Sequence, residues 1–197
     1  MKILSFSLAA ALLFAQASFA GVITYDAALS GPAESPPNAS PGVGFAVVTI
    51  NTIANTMEVD VNFSGLLGTT TASHIHCCTA TADTGTAGVA TTTPTFAGFP
   101  LGVTAGTYDQ VLDLTASSSY NPAYITANGG TTAGAETALL AGIAANDAYL
   151  NIHTTVVPGG EIRGFLTLAT PEPATWFLAA GALLGLAALR RRIRAQV

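Results

Sequence analysis

The chain has 197 residues, of which 50% are hydrophobic and 9% are charged, and its formal net charge is −5. Its bases gather at the two ends, so residues 21–170 carry ten carboxylates against one base, Arg163. This argues against a nucleic-acid partner, because phosphate binding needs clustered Lys and Arg. The acids favour a soluble surface, with a divalent cation or a basic partner as the alternative. About 150 residues suffice for one domain with a single core.

Residues 1–20 are typical of a secretory signal peptide. Lys2 supplies the positive start, residues 3–14 form an apolar run, and Ser18 and Ala20 are the small residues before a cleavage site. The alternative is an uncleaved anchor, but that run is shorter than the roughly 20 residues that span a bilayer.

Short runs rich in β-branched and aromatic residues, broken by Gly, Pro and Asn, predict β-strands throughout residues 21–170. The predicted strands are 22–29, 42–51, 55–63, 72–77, 107–114, 148–153 and 161–168. One helix is predicted at 135–145. We expect a loop with short strands near 87–92 and 96–99 within residues 79–106, and irregular chain at 121–132. This pattern predicts an all-β sandwich or Greek-key barrel with one short helix. The apolar runs at the two ends of the chain predict an N-terminal and a C-terminal apolar helix in addition.

The three histidines are the best candidates for chemistry. On a strand, His74 and His76 project to the same side, roughly 6.5–7 Å apart, and Ile75 projects to the other. If Ile75 and Ile152 are core residues, the two rings and His153 all lie on the outer face of one sheet, where residues 79–106 could cover them. Neutral imidazoles suit Zn or Cu. The alternative is that the rings only form hydrogen bonds to nearby backbone and loop groups.

The same alternation of side chains along a strand places Glu161 and Arg163 on that outer face. Glu161 or Asp83 is a candidate fourth metal ligand. For Arg163 we expect a structural ion pair, with Glu161 or with a carboxylate of a neighbouring strand. Anion binding is the alternative.

Cys77 and Cys78 are adjacent. Cysteines of exported proteins usually form disulfides, but neighbouring residues can do so only through an eight-membered ring that departs from relaxed disulfide geometry. A vicinal disulfide, two free thiols, bonds to other molecules and ligation of a soft metal by Cys78 all remain open.

The end of the chain has three parts in order: Pro171, Glu172 and Pro173, an apolar run from Trp176 to Leu189, and an arginine cluster at 190–194. A helix over that run would be about 21 Å long, a thin span with the arginines on the inner side. The three parts resemble the PEP-CTERM sorting signal of Gram-negative bacteria that make exopolysaccharide. The resemblance implies export, a transient inner-membrane stage and processing by an exosortase-type enzyme. A permanent single-span anchor is the alternative.

Four blocks between the two ends are similar to the CHRD (chordin-like) domain: Leu29 to Pro37, Ser73 to His76, Tyr149 to Thr154 and Gly160 to Gly164. The resemblance implies an immunoglobulin-like β-barrel, distantly like Cu,Zn superoxide dismutase, and it implies no agreed activity. The further histidines and the aspartate of a two-metal dismutase site are missing from this chain.

We therefore predict three segments: a signal peptide at 1–20, a CHRD-like β domain at 21–170, and a sorting signal with a short transmembrane helix and an arginine-rich tail at 171–197. No catalytic constellation is recognisable. The predicted role is that of an exported, non-catalytic cell-surface or extracellular-matrix protein. Its expected partners are signal peptidase and an exosortase, with exopolysaccharide or surface proteins as further candidates. The alternative is a Cu or Zn protein that uses His74, His76 and His153.

Overall fold

A computed structural model describes residues 21–169. The predicted signal peptide, the sorting motif and both terminal apolar helices lie outside these residues. Within residues 21–169, no helix has the length and apolarity needed to cross a membrane.

The described chain forms eight strands and two α-helices. The strands are β1 (Val22–Ser30), β2 (Val43–Asn51), β3 (Thr56–Ser64), β4 (Thr70–His76), β5 (Gly106–Asp113), β6 (Tyr149–Thr154), β7 (Ile162–Phe165) and β8 (Thr167–Leu168). The helices are α1 (Pro122–Ala127) and α2 (Thr132–Ala144). The mainly β architecture confirms the predicted fold class.

All strand pairs are antiparallel and belong to one sheet in the order β4-β6-β7-β1-β2-β3-β5, with β8 paired to β1. The sheet curls, so its interior face encloses the core. On β3, Met57, Val59, Val61 and Phe63 face the core, and the residues between them are exposed or half-buried. This strict period of two is the pattern that predicts a strand with one face in the core.

Residues 77–105, the cover loop, run across the outer side of β4. The sequence predicted short strands within this loop, but the structure has only isolated bridges there. In a β-ladder, backbone carbonyls of a neighbouring strand would accept from the β4 amides. Here threonine side chains accept instead: Thr91 Oγ1 from the amide of Ile75 and Thr95 Oγ1 from the amide of Ser73. The loop thereby satisfies an edge strand that would otherwise present unpaired amides.

The helices cover one end of the core. α2 confirms the predicted helix and buries Leu139 and Ile143 completely. α1 occupies part of the segment predicted to be irregular. Its start is encoded locally, since the Asn121 side chain accepts a hydrogen bond from the amide of Ala123, and Pro122 fits the first helical turn.

Candidate metal centre

Strand register brings the three histidines together. In the β4–β6 ladder His74 lies opposite Asn151, His76 opposite Tyr149, and His153 opposite Ala72. Ile75 is fully buried on the interior face, which leaves both neighbouring imidazoles on the outer face. Because Ala72 is small, the row that holds His153 has room for its ring to lean toward the other two.

The three rings form a compact triangle. Their centroids are 5.9 Å apart for His74 and His76, 5.3 Å for His74 and His153, and 5.7 Å for His76 and His153. His74 and His76 are buried and His153 is half-buried. The cluster is therefore reached mainly from the side of His153.

Each ring is held by a backbone carbonyl through one nitrogen. His74 donates from Nε2 to Pro94 O at 2.6 Å, and His76 donates from Nδ1 to Ala87 O at 2.9 Å. Both carbonyls belong to the cover loop. Since a ring that donates from one nitrogen carries its lone pair on the other, these bonds select the tautomer.

His153 is held in the same way, donating from Nδ1 to Pro158 O at 3.0 Å in the turn that joins β6 and β7. Nδ1 of His74 and Nε2 of His76 and His153 are buried and have no hydrogen-bond partner among the described residues. One ring nitrogen of each histidine lies within 4.8 Å of one from each of the others. Each ring thus has one buried nitrogen free to act as a ligand, and the three rings bring nitrogens close to one point.

The electrostatics keep these rings neutral. The pKa of His76 is lowered to about 4, mainly by burial; the bond to Ala87 opposes this shift, and the neighbouring charges of His153, His74 and Arg163 add to it. Burial also lowers the pKa values of His74 and His153. Neutral imidazole is the form that binds a metal.

The arrangement fits a first-row metal ion. Nitrogens bound tetrahedrally at about 2.0–2.1 Å from Zn²⁺ lie about 3.3 Å apart, and ring nitrogens of the three histidines lie within 4.8 Å of one another. The carbonyls of Ala87, Pro94 and Pro158 are the outer partners that fix the orientation of metal-binding imidazoles. Three nitrogen ligands leave one position of a tetrahedral ion for an exogenous ligand.

Neither candidate fourth ligand joins the histidines. Glu161 is fully buried elsewhere, where its carboxylate accepts hydrogen bonds from Ser40 Oγ, Thr154 Oγ1 and the amides of Leu67 and Gly68. These donors lower its pKa although burial opposes them. Asp83 is exposed and stands outside the histidine group.

Arg163 lies on the outer face and forms the expected ion pair, not with Glu161 but with a carboxylate that follows β1, the strand next to β7. Its Nε is 3.7 Å from the carboxylate of Glu34, which lies in the turn after β1. Nε also donates to Ala33 O at 2.6 Å and Nη1 to Gly85 O at 2.9 Å. Burial raises the pKa of Glu34 to about 7 against the opposing charge of Arg163.

Cys77 and Cys78 form a vicinal disulfide. Cys77 is buried, whereas Cys78 is exposed. The sulfur of Cys78 lies 3.7 Å from Ala138 O and 3.9 Å from the hydroxyl of Tyr124. The pair therefore packs against the helices, and each sulfur is held in the disulfide and is not a free thiolate.

Sequence reasoning missed Tyr149. Its ring is parallel to that of His76, with centroids 4.8 Å apart and planes 7° from each other. Tyr149 lies two residues before Asn151 and four before His153, so strand alternation puts it on the same face as His153. That alternation could have indicated that Tyr149 lies near the histidines.

Comparison with protein families identifies the chain. Residues 25–166 match the CHRD domain, and residues 169–192 match the PEP-CTERM protein-sorting motif. Comparison with curated proteins and with solved structures gives no match. The chain belongs to the CHRD domain family. It carries the motif that marks an exported protein for sorting by an exosortase-type enzyme.

Proposed function

We propose that this exported protein binds one Zn²⁺ or Cu²⁺ ion through His74 Nδ1, His76 Nε2 and His153 Nε2. Two observations carry the proposal: ring nitrogens of the three histidines lie within 4.8 Å of one another, and each ring has one buried nitrogen without a hydrogen-bond partner among the described residues. Buried nitrogens with no partner are costly, and a shared metal ion satisfies all three at once. After sorting, the protein would present this ion at the cell surface or in the extracellular matrix.

The proposed role is binding and not catalysis. The two buried carboxyl groups of the described residues do not belong to the three-histidine group. Glu161 is held by four donors, and Glu34 faces Arg163. A protein with such a centre would retain or store metal outside the cytoplasm.

The test is metal content. The purified protein is incubated with Zn²⁺ or Cu²⁺, desalted and analysed by mass spectrometry for bound metal. We expect one equivalent for the native protein and less than a tenth of that for His76→Ala and His153→Ala, because two imidazoles hold an exchangeable ion poorly. For the Cu²⁺ form, electron paramagnetic resonance should show coupling to nitrogen.

The matched control is Glu58→Gln, which removes an exposed carboxylate from the outer face of β3. This variant should retain one equivalent of metal, because the surface carboxylates are not the proposed ligands. Native protein that retains no metal, or alanine variants that retain as much as the native protein, would overturn the proposal.

A further inference from the structure

Arg163 is buried although it is the one arginine or lysine of the described residues. Only 4% of it is exposed. Its two carbonyl partners, Ala33 O and Gly85 O, belong to the turn after β1 and to the cover loop. Burial of a guanidinium is expensive unless such partners compensate for lost hydration, so the chain fixes this group in one place.

That place is against an aromatic ring. The guanidinium carbon is 4.7 Å from the centre of the Tyr149 ring and 5.5 Å from that of Phe165. Cations within about 6 Å of a ring centre are attracted to its face. Tyr149 in turn stacks in parallel on His76. Guanidinium, phenol and imidazole therefore form one continuous stack across β7, β6 and β4.

The hydroxyl of Tyr149 reaches the same carbonyl that holds His76. It donates to Ala87 O at 3.3 Å and accepts from the amide of Ala87 at 3.2 Å. Nδ1 of His76 donates to that same oxygen. Tyr149 thus contacts the face of the imidazole and also fixes the acceptor that determines which of its nitrogens carries the proton.

We propose that Tyr149 and Arg163 are positioning residues of the histidine centre, which hold the plane and the Nδ1–H tautomer of His76 so that Nε2 faces the other two rings. The metal-binding part rests on the proposed function. The orientation of the ring does not, because it is a property of the metal-free protein. A merely fold-stabilising role for the two residues would change stability and leave the tautomer as it is.

Three variants distinguish the effect of the Tyr149 ring from that of its hydroxyl, and the effect of the planar Arg163 guanidinium from that of its charge. Tyr149→Leu removes the stack, Tyr149→Phe keeps the ring and loses the contacts to Ala87, and Arg163→Lys keeps the charge without the planar group. Tyr120→Phe is the matched control, since Tyr120 is equally buried and donates to Leu114 O at 2.9 Å, away from the histidines.

The first readout is nitrogen NMR of the metal-free protein, in which Nδ1 and Nε2 of His76 have distinct shifts. Native protein and Tyr120→Phe should show the Nδ1–H form, whereas Tyr149→Leu and Arg163→Lys should show a mixture with the Nε2–H form. The second is the affinity for Cu²⁺ in competition with a chelator, about tenfold weaker for Tyr149→Leu, the lower end of typical losses of outer partners. The loss for Tyr149→Phe should be smaller.

An unchanged tautomer and unchanged affinity in folded Tyr149→Leu and Arg163→Lys would overturn the inference. If Tyr149→Leu does not fold, Tyr149→Phe and Arg163→Lys decide in its place. If the native protein binds no metal, the proposed function fails, while the NMR comparison still supports or refutes the positioning role.

Discussion

At the scale of the residue, burial decides the chemistry of the site. Three imidazoles lie within contact of one another and all have lowered pKa values, whereas Glu34 has a raised pKa. Burial disfavours the charged form in each case, and it therefore shifts acids and bases in opposite directions. The pH dependence of stability should record both shifts.

The pKa of His76 is about 4 in the native protein and near 6.5 when unfolded. Between those values the unfolded chain binds a proton that the native chain does not, so stability falls as pH falls. Glu34 acts in the opposite sense, because its native pKa of about 7 exceeds the unfolded value of 4.5. The native chain holds a proton that the unfolded chain has released, so the contribution of Glu34 to stability is lost as pH rises. The two contributions offset each other between pH 4.5 and 6.5.

If the Glu34 carboxyl is removed, the effect of His76 on the pH dependence of stability should no longer be offset. In the metal-free protein, Glu34→Gln should make the gain in stability from pH 4.5 to 6.5 steeper than in the native protein. Each pKa unit of difference corresponds to about 1.4 kcal/mol, so the extra change should be on the order of 2–3 kcal/mol. Urea denaturation across this range measures it, and an equal or shallower slope in Glu34→Gln would refute the opposing shifts.

At the scale of the element, α2 is shaped by the disulfide that it covers. A Cβ on Gly142 would overlap the sulfurs of Cys78 and Cys77. Glycine inside a helix ordinarily costs about 1 kcal/mol relative to alanine. The helix therefore accepts an unfavourable residue so that it can approach the end of β4.

Gly142→Ala should consequently destabilise the protein, against the usual gain for this change in a helix. In a Cys77→Ala, Cys78→Ala background, where the sulfurs are absent, the same substitution should be neutral or stabilising. Thermal unfolding of the four proteins of this cycle measures the coupling. Equal effects of Gly142→Ala in both backgrounds would show that the helix does not owe its glycine to the disulfide.

At the scale of the whole molecule, Glu161 connects segments that are far apart in sequence. Its carboxylate accepts from Ser40 before β2, from Leu67 and Gly68 between β3 and β4, and from Thr154 at the end of β6. The strands β3 and β4 lie far apart in the order of the sheet. This single buried charge therefore helps to hold the curl of the sheet.

Glu161→Gln should cost about 2–3 kcal/mol of unfolding free energy. The NH2 that replaces one carboxylate oxygen cannot accept from the backbone amide of Leu67 or Gly68, and a hydrogen bond to a charged group is worth about 1.5–3 kcal/mol. Chemical denaturation measures the change. Glu58→Gln, the same substitution on an exposed face, should leave stability nearly unchanged. Equal stabilities of the two variants would contradict the assignment.

Much of the fold could be predicted because alternation is local. The β2–β3 hairpin follows from the period of two in the sequence, and the same parity placed both imidazoles of β4 opposite Ile75. α1 was missed although its signals, Asn121 followed by Pro122, are in the sequence. The short strands expected in the cover loop did not form, since residue type alone does not show that threonine hydroxyls replace a ladder.

The sequence by itself determined an exported, acidic, β-rich protein of this family whose three histidines share one face of a sheet. Only the tertiary structure decided that Arg163 pairs with Glu34 and not Glu161, that Glu161 is buried among four donors, and which nitrogen of each ring is left without a proton. Parity assigns a side chain to a face from its neighbours in sequence. Partners and tautomers instead depend on loops and turns brought to that face from distant parts of the chain, and no local pattern encodes their approach.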